Sequence, residues 1–596
     1  MDGMKNLLEI LRPLLATLPS GSRRFLLGYG IASACLAVLD MVALGAVALI
    51  LPALVSGDSV VLPVVGDVSG VILPILLGVC LLIVLKGVLA VLLLRMATAR
   101  FAQHEVSIGD RLFASYLASP WVNRLKKNSS ELVRMVDVGV GITVAGVLIP
   151  AMTLFGEFGT LLAVIVVLFV AEPIIAIVTL LYLGFVAFLL ARVISPMSVQ
   201  AGRENRQWSG KTVTMLTEAM NTLKELTLAG RAPDVQERVN MTRTKSSRAR
   251  ARSIFLSQVP RYVLETALIL GFALVGGVGL IMDGPEGAVS AVGLFAVAGF
   301  RLVPSLTRLQ AVQSQANSSA SFANNVMHDI REGDALLAAR VRDRPQQKLD
   351  SGRVDIKLRN VSFTYPGAES PALNRVSISI PAGTHVAFVG SSGAGKSTLI
   401  DLLLGLIEPS EGHLEVGGVR MDFVLDDWRK RIGYVPQEVS LFDASVGQNV
   451  ALTWNPSNVD RPKVETALRR AQLLETIISR PGGIDAVVAE RGHSLSGGQR
   501  QRLGIARALY DNPNVLVMDE ATSALDTATE AAVTSAIRKL HGEVTVITVA
   551  HRLSTIRNAD IVFFMKDGRV DAQGSFDEVV AKVPDFARQA ALAGLS

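Results

Sequence analysis

The chain has 596 residues, half of them hydrophobic and only 18% charged, and its formal net charge is +6. Its mean hydropathy is positive, which excludes an ordinary soluble enzyme of this length because such enzymes carry more charge. The two cysteines, Cys35 and Cys80, are too few for a disulfide framework and lack the spacing of a metal site.

The first predicted elements belong to a membrane, because the apolar residues crowd the first half of the chain. The opening stretch "MKNLLEILRPLLATL" is amphipathic, and we expect a short interfacial helix there rather than a cleavable signal peptide. A membrane-spanning helix needs about 20 apolar residues. Six runs reach that length, at roughly 25–54, 71–95, 144–170, 174–195, 259–282 and 287–311.

The charges of the connecting segments predict the orientation of these spans. The connections at 56–70, 171–173 and 283–287 contain acidic residues and no Lys or Arg, whereas 96–137 and 196–252 are rich in both. Since basic residues stay on the cytoplasmic side, we expect those two long segments, everything after residue 311 and both termini to be cytoplasmic. The basic runs border the spans too regularly for a nucleic-acid-binding surface, so no nucleic-acid partner is expected.

The two long segments favour helix, which predicts that the spans continue beyond the membrane as helices. Each is expected to turn at a short transverse segment, at 119–129 and at 217–231. Residues 312–350 lose apolar periodicity and gain charge, which indicates a linker. The predicted organisation is therefore a transmembrane domain at 1–311, a linker at 312–350 and an α/β domain at 351–596.

The α/β domain contains "VAFVGSSGAGKSTLIDLLLGL", an apolar strand followed by a glycine-rich loop and an apolar-periodic helix. This is the context that a phosphate-binding loop requires, because backbone N–H groups and a helix N-terminus surround the phosphates. We expect Lys396 to reach the β- and γ-phosphates of ATP and Ser397 to supply an oxygen to Mg²⁺. The predicted ATP-binding residues of the loop are Gly390, Ser391, Ser392, Gly393, Ala394, Gly395, Lys396, Ser397 and Thr398.

A second buried strand in "NVLVMDEATSALD" ends in two acidic residues. Asp519 is expected to hold Mg²⁺, directly or through water, and Glu520 to orient and polarise the attacking water. Phosphoryl transfer depends mainly on positioning and charge stabilisation, so one base-like carboxylate is sufficient. Just upstream of this strand lies "LSGGQRQRLGIARALY".

With these motifs, residues 354–590 resemble the ATP-binding cassette (ABC) ATPases. The resemblance implies that Tyr365 stacks on adenine and that Gln437, in "YVPQEVSLF", senses Mg²⁺ and the membrane domain. It implies that the signature contacts the γ-phosphate of ATP held by an opposite subunit, and that His551, in "VAHRLS", is a catalytic switch. "AERGHS" (489–494) is similar to a segment found in exporters. The further ATP-binding residues implied are Ser496, Gly497, Gly498, Gln499 and Asp526.

Six spans fused ahead of one such ATPase resemble the exporter-type ABC half-transporters. The resemblance implies an α-helical membrane domain with long cytoplasmic extensions and a P-loop ATPase domain of ABC type, located in the cytoplasmic (inner) membrane of a bacterium. The transverse segments would then be coupling helices. Because the ATPase motifs are intact, a homodimer with two working sites is the simplest assembly, and a heterodimer with a second half-transporter is the alternative. ATP and Mg²⁺ are the expected cofactors.

Charged residues inside apolar spans indicate function, because they are costly in hydrocarbon. At about 1.5 Å per residue, Lys86, Glu157 and Arg301 all lie roughly 20 Å below the outer surface. Arg301 has two interpretations. It either extends to the cytoplasmic headgroups or pairs with Glu157, or it belongs to a cationic patch that receives an anionic group such as phosphate.

The stretches "VPRYVLE" and "FRLVPS", with an acid before "ALGAVALILPAL", weakly resemble bacterial lipid-linked oligosaccharide flippases. That resemblance adds Arg261 to the candidates for the substrate cavity, with Lys86, Glu157 and Arg301. It favours an ATP-driven exporter or flippase of an amphiphilic, anionic, lipid-linked substrate. A multidrug or peptide exporter on the same scaffold is the alternative. A soluble ABC ATPase is excluded by the spans, and a membrane ATPase without transport is disfavoured by the coupling segments.

Overall fold

The computed structural model describes residues 11–16, 20–56, 61–62, 66–67, 72–126, 128–342, 347–350, 352–488, 495–520, 527–549 and 553–592. The chain divides into two compact units. The first comprises Met1–Ser119 and Arg124–Ala339, and the second comprises Pro120–Asn123 and Arg340–Ser596.

The first unit is built from long apolar helices, as the composition predicts. Five helices in the described residues are long and apolar enough to cross a membrane: Leu77–Ala118, Ser129–Val170, Pro173–Asn221, Ala232–Met282 and Gly287–Ala338. The first predicted span, 25–54, falls within a helix at Ser20–Ser56, and Arg24–Leu39 is a shorter apolar stretch of that helix. The helical architecture is therefore confirmed, and each of the other five predicted spans overlaps one of these longer helices.

The breaks between these helices occur at the predicted turns. Glu172 adopts an extended conformation between helices Ile149–Ala171 and Pro173–Asn221. Gly284 has φ +72°, a value that glycine tolerates best, and interrupts the helical stretch Ala232–Arg342. Short helices at Trp121–Lys126 and Leu223–Leu228 occupy the two predicted transverse segments.

The helix before the turn at Glu172 is not uniform. It begins at Ser129–Arg134, continues as a π-helical turn at Met135–Gly139 and an α-helical turn at Val140–Thr143, passes through a second π-helical turn at Val144–Leu148, and ends as Ile149–Ala171. Each π turn holds one residue more than an α-helical turn would.

The predicted linker at 312–350 is wrong over most of its length, because the last helix of the first unit extends to Arg342. Its buried residues recur every three or four positions, which is the spacing of one helix face. Small and polar residues such as Asn317 and Ser319 are buried beside the apolar ones, so the pattern is weak on a hydropathy scale. One series of buried residues with this spacing is Ala316, Ala320, Ala323, Met327 and Ile330.

The second unit contains a six-stranded sheet with a parallel core. Its strand order is Arg569–Gly574, Ile561–Lys566, His385–Gly390, Thr545–Val549, Val515–Asp519 and Ile432–Val435, and only the first of these is antiparallel to its neighbour. The strands of the core are buried on both faces and consist mainly of Val, Ile, Phe and Met, as expected for a parallel sheet covered by helices.

The second unit also contains a four-stranded antiparallel sheet and a two-stranded one formed by Ala444–Ser445 and Val487–Val488. The strand order of the four-stranded sheet is Leu373–Ile380, Ile356–Phe363, Glu411–Val416 and Val419–Arg420. One apolar core joins this sheet to the helix Lys396–Leu403, and Trp121 and Val122 of the short segment Pro120–Asn123 pack against the same core.

The remaining helices of the second unit surround these sheets. They are Leu425–Lys430, Val446–Ala451, Arg461–Arg470, Leu474–Ile478, Gly497–Leu509, Thr527–Arg538, Leu553–Ile556, Phe576–Lys582 and Pro584–Leu592.

Candidate ATP-binding site

The predicted phosphate-binding loop joins the central strand His385–Gly390 to the helix Lys396–Leu403. Two of its glycines are required by close contacts as well as by positive φ. A Cβ on Gly390 would lie 2.2 Å from the carbonyl oxygen of Met565, and one on Gly395 would lie 2.5 Å from that of Ala372. The loop therefore follows its path only with glycine at these positions.

Lys396 lies at the first turn of that helix, folded against its own loop. Its Nζ donates hydrogen bonds to the carbonyl oxygens of Gly390 (2.8 Å) and Ser391 (2.9 Å). Burial lowers the pKa of Lys396, while the nearby carboxylates of Glu520 and Asp519 act in the opposite direction. The ammonium group thus stands between the loop and two acids, where a phosphate and its metal would be bound.

The two acids follow from the strand Val515–Asp519, which runs parallel to Thr545–Val549. Glu520 has φ +49°, unusual for a residue other than glycine, and its N–H donates to the carbonyl oxygen of Val549 at 2.9 Å. Gln437 donates a hydrogen bond from Nε2 to Oε2 of Glu520 at 2.7 Å. The structure therefore brings together the predicted site residues Gln437, Asp519 and Glu520, because the carboxyl ends of neighbouring parallel strands meet at one edge of the sheet.

The predicted metal-binding groups are the hydroxyl of Ser397, the side-chain oxygen of Gln437 and the carboxylate of Asp519. All three offer hard oxygen ligands of the kind that Mg²⁺ prefers. Since Gln437 uses its nitrogen to contact Glu520, its amide oxygen is directed by that bond and stays available as an acceptor. The donor set fits magnesium.

A further acid near this site was not predicted from the sequence. Asp401 lies on the phosphate-loop helix, and burial together with the charge of Asp519 raises its pKa to about 6. Burial, Asp519 and Asp401 raise the pKa of Tyr434 to about 12. The available signal was a single acid within the apolar run "TLIDLLL".

Tyr365 lies just beyond the strand Ile356–Phe363. Its ring contacts that of Phe363 edge to face, with ring centres 4.9 Å apart, and its hydroxyl lies 3.2 Å from Oγ1 of Thr398. The aromatic ring is thus fixed beside the phosphate-binding loop. Its predicted stacking on adenine stays a prediction.

The signature residues form the N-terminus of helix Gly497–Leu509. Ser496 caps this helix: its Oγ accepts from the N–H of Gln499, and the Gln499 side chain accepts from the N–H of Ser496. Such a reciprocal cap leaves the next N–H groups of the helix directed outward, as an anion site requires. Asp526, His551 and the segment 489–494 lie outside the described residues.

Within the membrane spans, Glu157 forms its ion pair with Arg308, which was not predicted. Nη1 of Arg308 lies 2.6 Å from Oε1 of Glu157, and Glu157 is buried. Arg308 is two helical turns beyond Arg301 on the same face. The spacing of Arg301 and Arg308 was the sequence signal that could have identified Arg308 as the partner of Glu157.

The other candidates for the substrate cavity occupy different surroundings. Lys86 and Arg301 are half-buried, on helices Ile72–Ala118 and Ala232–Arg342. Arg261 is exposed and pairs with Glu265, with Nε 2.9 Å from Oε1.

Comparison with known proteins identifies the second unit. Residues 373–523 match the family model described as ABC transporter. The chain is 29% identical to the ATP-dependent lipid A-core flippase of Salmonella typhimurium over 480 residues, covering 79% of this chain and 80% of that protein. The protein of the same name from Photobacterium profundum is 39% identical over 319 residues, covering 52% of this chain and 53% of the relative.

The fold of the whole chain also has a known counterpart. A bacterial Atm1-family ABC exporter with ATP bound matches with a TM-score of 0.77 and 24% identity, covering 95% of this chain and 98% of that structure. The likeness extends over both the helical part and the ATPase part. The chain therefore has the fold of an ABC exporter over both its helical part and its α/β part, and residues 373–523 match the ABC transporter family.

Proposed function

We propose that this half-transporter works as a homodimeric flippase, which moves an anionic amphiphilic lipid from the cytoplasmic side of a bacterial inner membrane outward. The observation that carries the proposal is the set of cationic side chains within apolar helices, Lys86, Arg301 and Arg308, of which Arg308 pairs with Glu157. A cavity for neutral or cationic drugs has no use for such charges.

The proposed chemistry of the ATPase follows from the contacts of the phosphate-binding loop. Lys396 leaves its loop carbonyls to contact the β- and γ-phosphates. Glu520, held by Gln437 and by its own backbone, orients the water that attacks the γ-phosphorus of ATP. The bond between that phosphorus and the oxygen that bridges it to ADP breaks, and ADP leaves with this oxygen. Ser397, Gln437 and Asp519 would hold Mg²⁺, which would neutralise phosphate charge. The expected roles of Asp526 and His551 complete this proposal.

The homodimer follows from the intact motifs. In the ABC resemblance, the signature of one chain completes the ATP site of another, so a single chain would be inactive. Because both the catalytic acid Glu520 and the signature at Ser496 are present, two identical chains supply two complete sites. Transport would follow when ATP closes the two ATPase domains and the membrane cavity turns outward.

The proposed substrate is a lipid whose headgroup carries phosphate or pyrophosphate, such as a lipid-linked oligosaccharide or a similar envelope precursor. The planar fork of arginine suits phosphate oxygens. Arg308 pairs with Glu157, and Lys86 and Arg301 are two further cations within the same apolar helices. The relatives named lipid A-core flippase support an amphiphilic lipid as the class of substrate.

The test is ATP hydrolysis and lipid flipping by the purified chain in liposomes. We expect stimulation by polyprenyl-pyrophosphate glycans or by lipid A-core, and no stimulation by cationic drugs. Arg301→Ala is expected to abolish stimulation and flipping. Arg238→Ala removes an exposed cation that lines no predicted cavity, and it should leave both unchanged. Stimulation by cationic drugs alone would establish the multidrug alternative instead.

A further inference from the structure

A cavity of about 520 Å³ lies in the first unit, outside the predicted membrane spans. Its walls come from Ser129–Arg134 and from the later part of the helix Pro173–Asn221. Both walls belong to the segments that the distribution of charge predicts to be cytoplasmic. The volume lies within the range of ordinary small-molecule sites.

The charges that line this cavity have a strong excess of one sign. Arg134, Arg206 and Lys211 contribute three cations, and Glu131 contributes one acid. Like charges this close are unfavourable unless a counter-charge balances them, so the cavity attracts anions.

Arg134 is the central feature of the cavity because it is only 9% exposed. Its guanidinium carbon lies 5.6 Å from the centre of the Phe322 ring, which fixes the plane of the group. Gly210 leaves room beside it, since a Cβ there would lie 3.4 Å from Nη2. Among the residues that the structure describes, none forms a hydrogen bond or ion pair with this guanidinium.

The charges of Glu131 and Arg206 act on Arg134 in opposite directions. A buried cation that lacks a hydrogen-bonded counter-ion is costly, and proteins normally supply one. The guanidinium presents parallel N–H donors that match two oxygens of a phosphate group, and Arg206 and Lys211 flank it with further positive charge. We propose that this cavity is a binding site for a phosphate-bearing anion from the cytoplasmic side. The site is separate from the ATPase site and does not depend on which substrate crosses the membrane.

The experiment is amide hydrogen exchange on the full chain in detergent, with the ATPase sites saturated by a non-hydrolysable ATP analogue and Mg²⁺. Two probes are added separately, inorganic pyrophosphate and a short-chain phosphatidic acid. We expect slower exchange in 129–134 and 206–215 with at least one probe. Protection by pyrophosphate identifies a free anion as sufficient, and protection by phosphatidic acid alone identifies a lipid headgroup; both outcomes support the site.

The variants separate binding from general damage. Arg134→Gln should lower the affinity for the protecting probe on the order of tenfold, because a charge-assisted hydrogen bond is lost. Lys211→Gln tests the same cavity at an exposed position, where folding is not at risk. Arg238→Gln makes the same change of charge outside the cavity and should bind as the unmodified chain does. The proposal is overturned if neither probe protects these segments, or if both cavity variants bind the probe with the affinity of the unmodified chain. The flippase proposal is tested separately by its transport assay.

Discussion

Two glycines on one helix provide a test of how closely the long helices pack. A Cβ added to Gly202 would lie 2.2 Å from the carbonyl oxygen of Ser318 and 2.7 Å from its Cα, whereas one added to Gly184 would meet nothing within 4 Å. Both residues lie within Pro173–Asn221. Because the obstacle at Gly202 is backbone, no side chain can rotate away, and the two helices must separate.

The expected effects of alanine at these two positions have opposite signs. Replacing glycine by alanine within a helix gains about 1 kcal/mol. At Gly184 that gain is unopposed, so Gly184→Ala should be neutral or stabilising. At Gly202 overpacking costs about 1–3 kcal/mol. The contact is about 1 Å too short for ordinary packing, which points to the upper part of that range and a net loss of about 1–2 kcal/mol.

The assay is thermal unfolding of both variants in the same detergent. Gly202→Ala should lower the apparent midpoint on the order of 2–4 °C, and Gly184→Ala should not lower it. If both variants unfold at or above the midpoint of the unmodified chain, the inferred approach of the helices at Ser318 is wrong.

The remaining predictions concern the ATPase domain. Glu520→Gln keeps an oxygen that accepts the hydrogen bond from Gln437 but loses the negative charge, so ATP turnover should fall about 10²–10⁴-fold while ATP binding is preserved. The exposed control Glu411→Gln should hydrolyse ATP normally. Normal hydrolysis by Glu520→Gln would contradict the assignment. Gln437→Ala leaves Glu520 without its 2.7 Å donor, and we expect turnover roughly tenfold lower with unchanged nucleotide affinity in the absence of Mg²⁺; undiminished turnover would refute this role. Burial lowers the pKa of His385, so the folded chain disfavours protonation of this imidazole and stability is lost as pH falls below about 6.5. His385→Gln should therefore flatten the dependence of the unfolding midpoint on pH between about 7 and 5. If the curves of midpoint against pH for the variant and the unmodified chain are parallel, the effect is disproved.

The ATPase site was largely predictable because its residues are adjacent in sequence or follow strands of one parallel sheet. The phosphate-binding loop, Asp519 and Glu520 follow from that arrangement. The hydrogen bond between Gln437 and Glu520 does not, because it joins two loops whose separation depends on the folded sheet. Asp401 was missed since a lone acid in an apolar helix does not reveal its neighbours.

The membrane part was predictable as helices and less so as contacts. Hydropathy identified the spans, but it could not pair Glu157 with Arg308, which lies 151 residues away. The linker was misassigned because alanine at positions such as Ala316 and Ala323 packs well while scoring as weakly apolar. Hydropathy measures transfer from water, whereas close packing of helices rewards small size.

The two π turns at Met135–Gly139 and Val144–Leu148 separate Arg134 from Glu157 on one continuous helix. Each extra residue turns everything after it by about 100° relative to an uninterrupted α-helix. The end of this helix that carries Arg134 and the end that carries Glu157 therefore present faces that a regular helical wheel would assign wrongly. Deleting one residue from either turn would restore regular winding at that point and swing Glu157 away from Arg308, so the register of this helix ties the ion pair in the membrane to the cavity around Arg134.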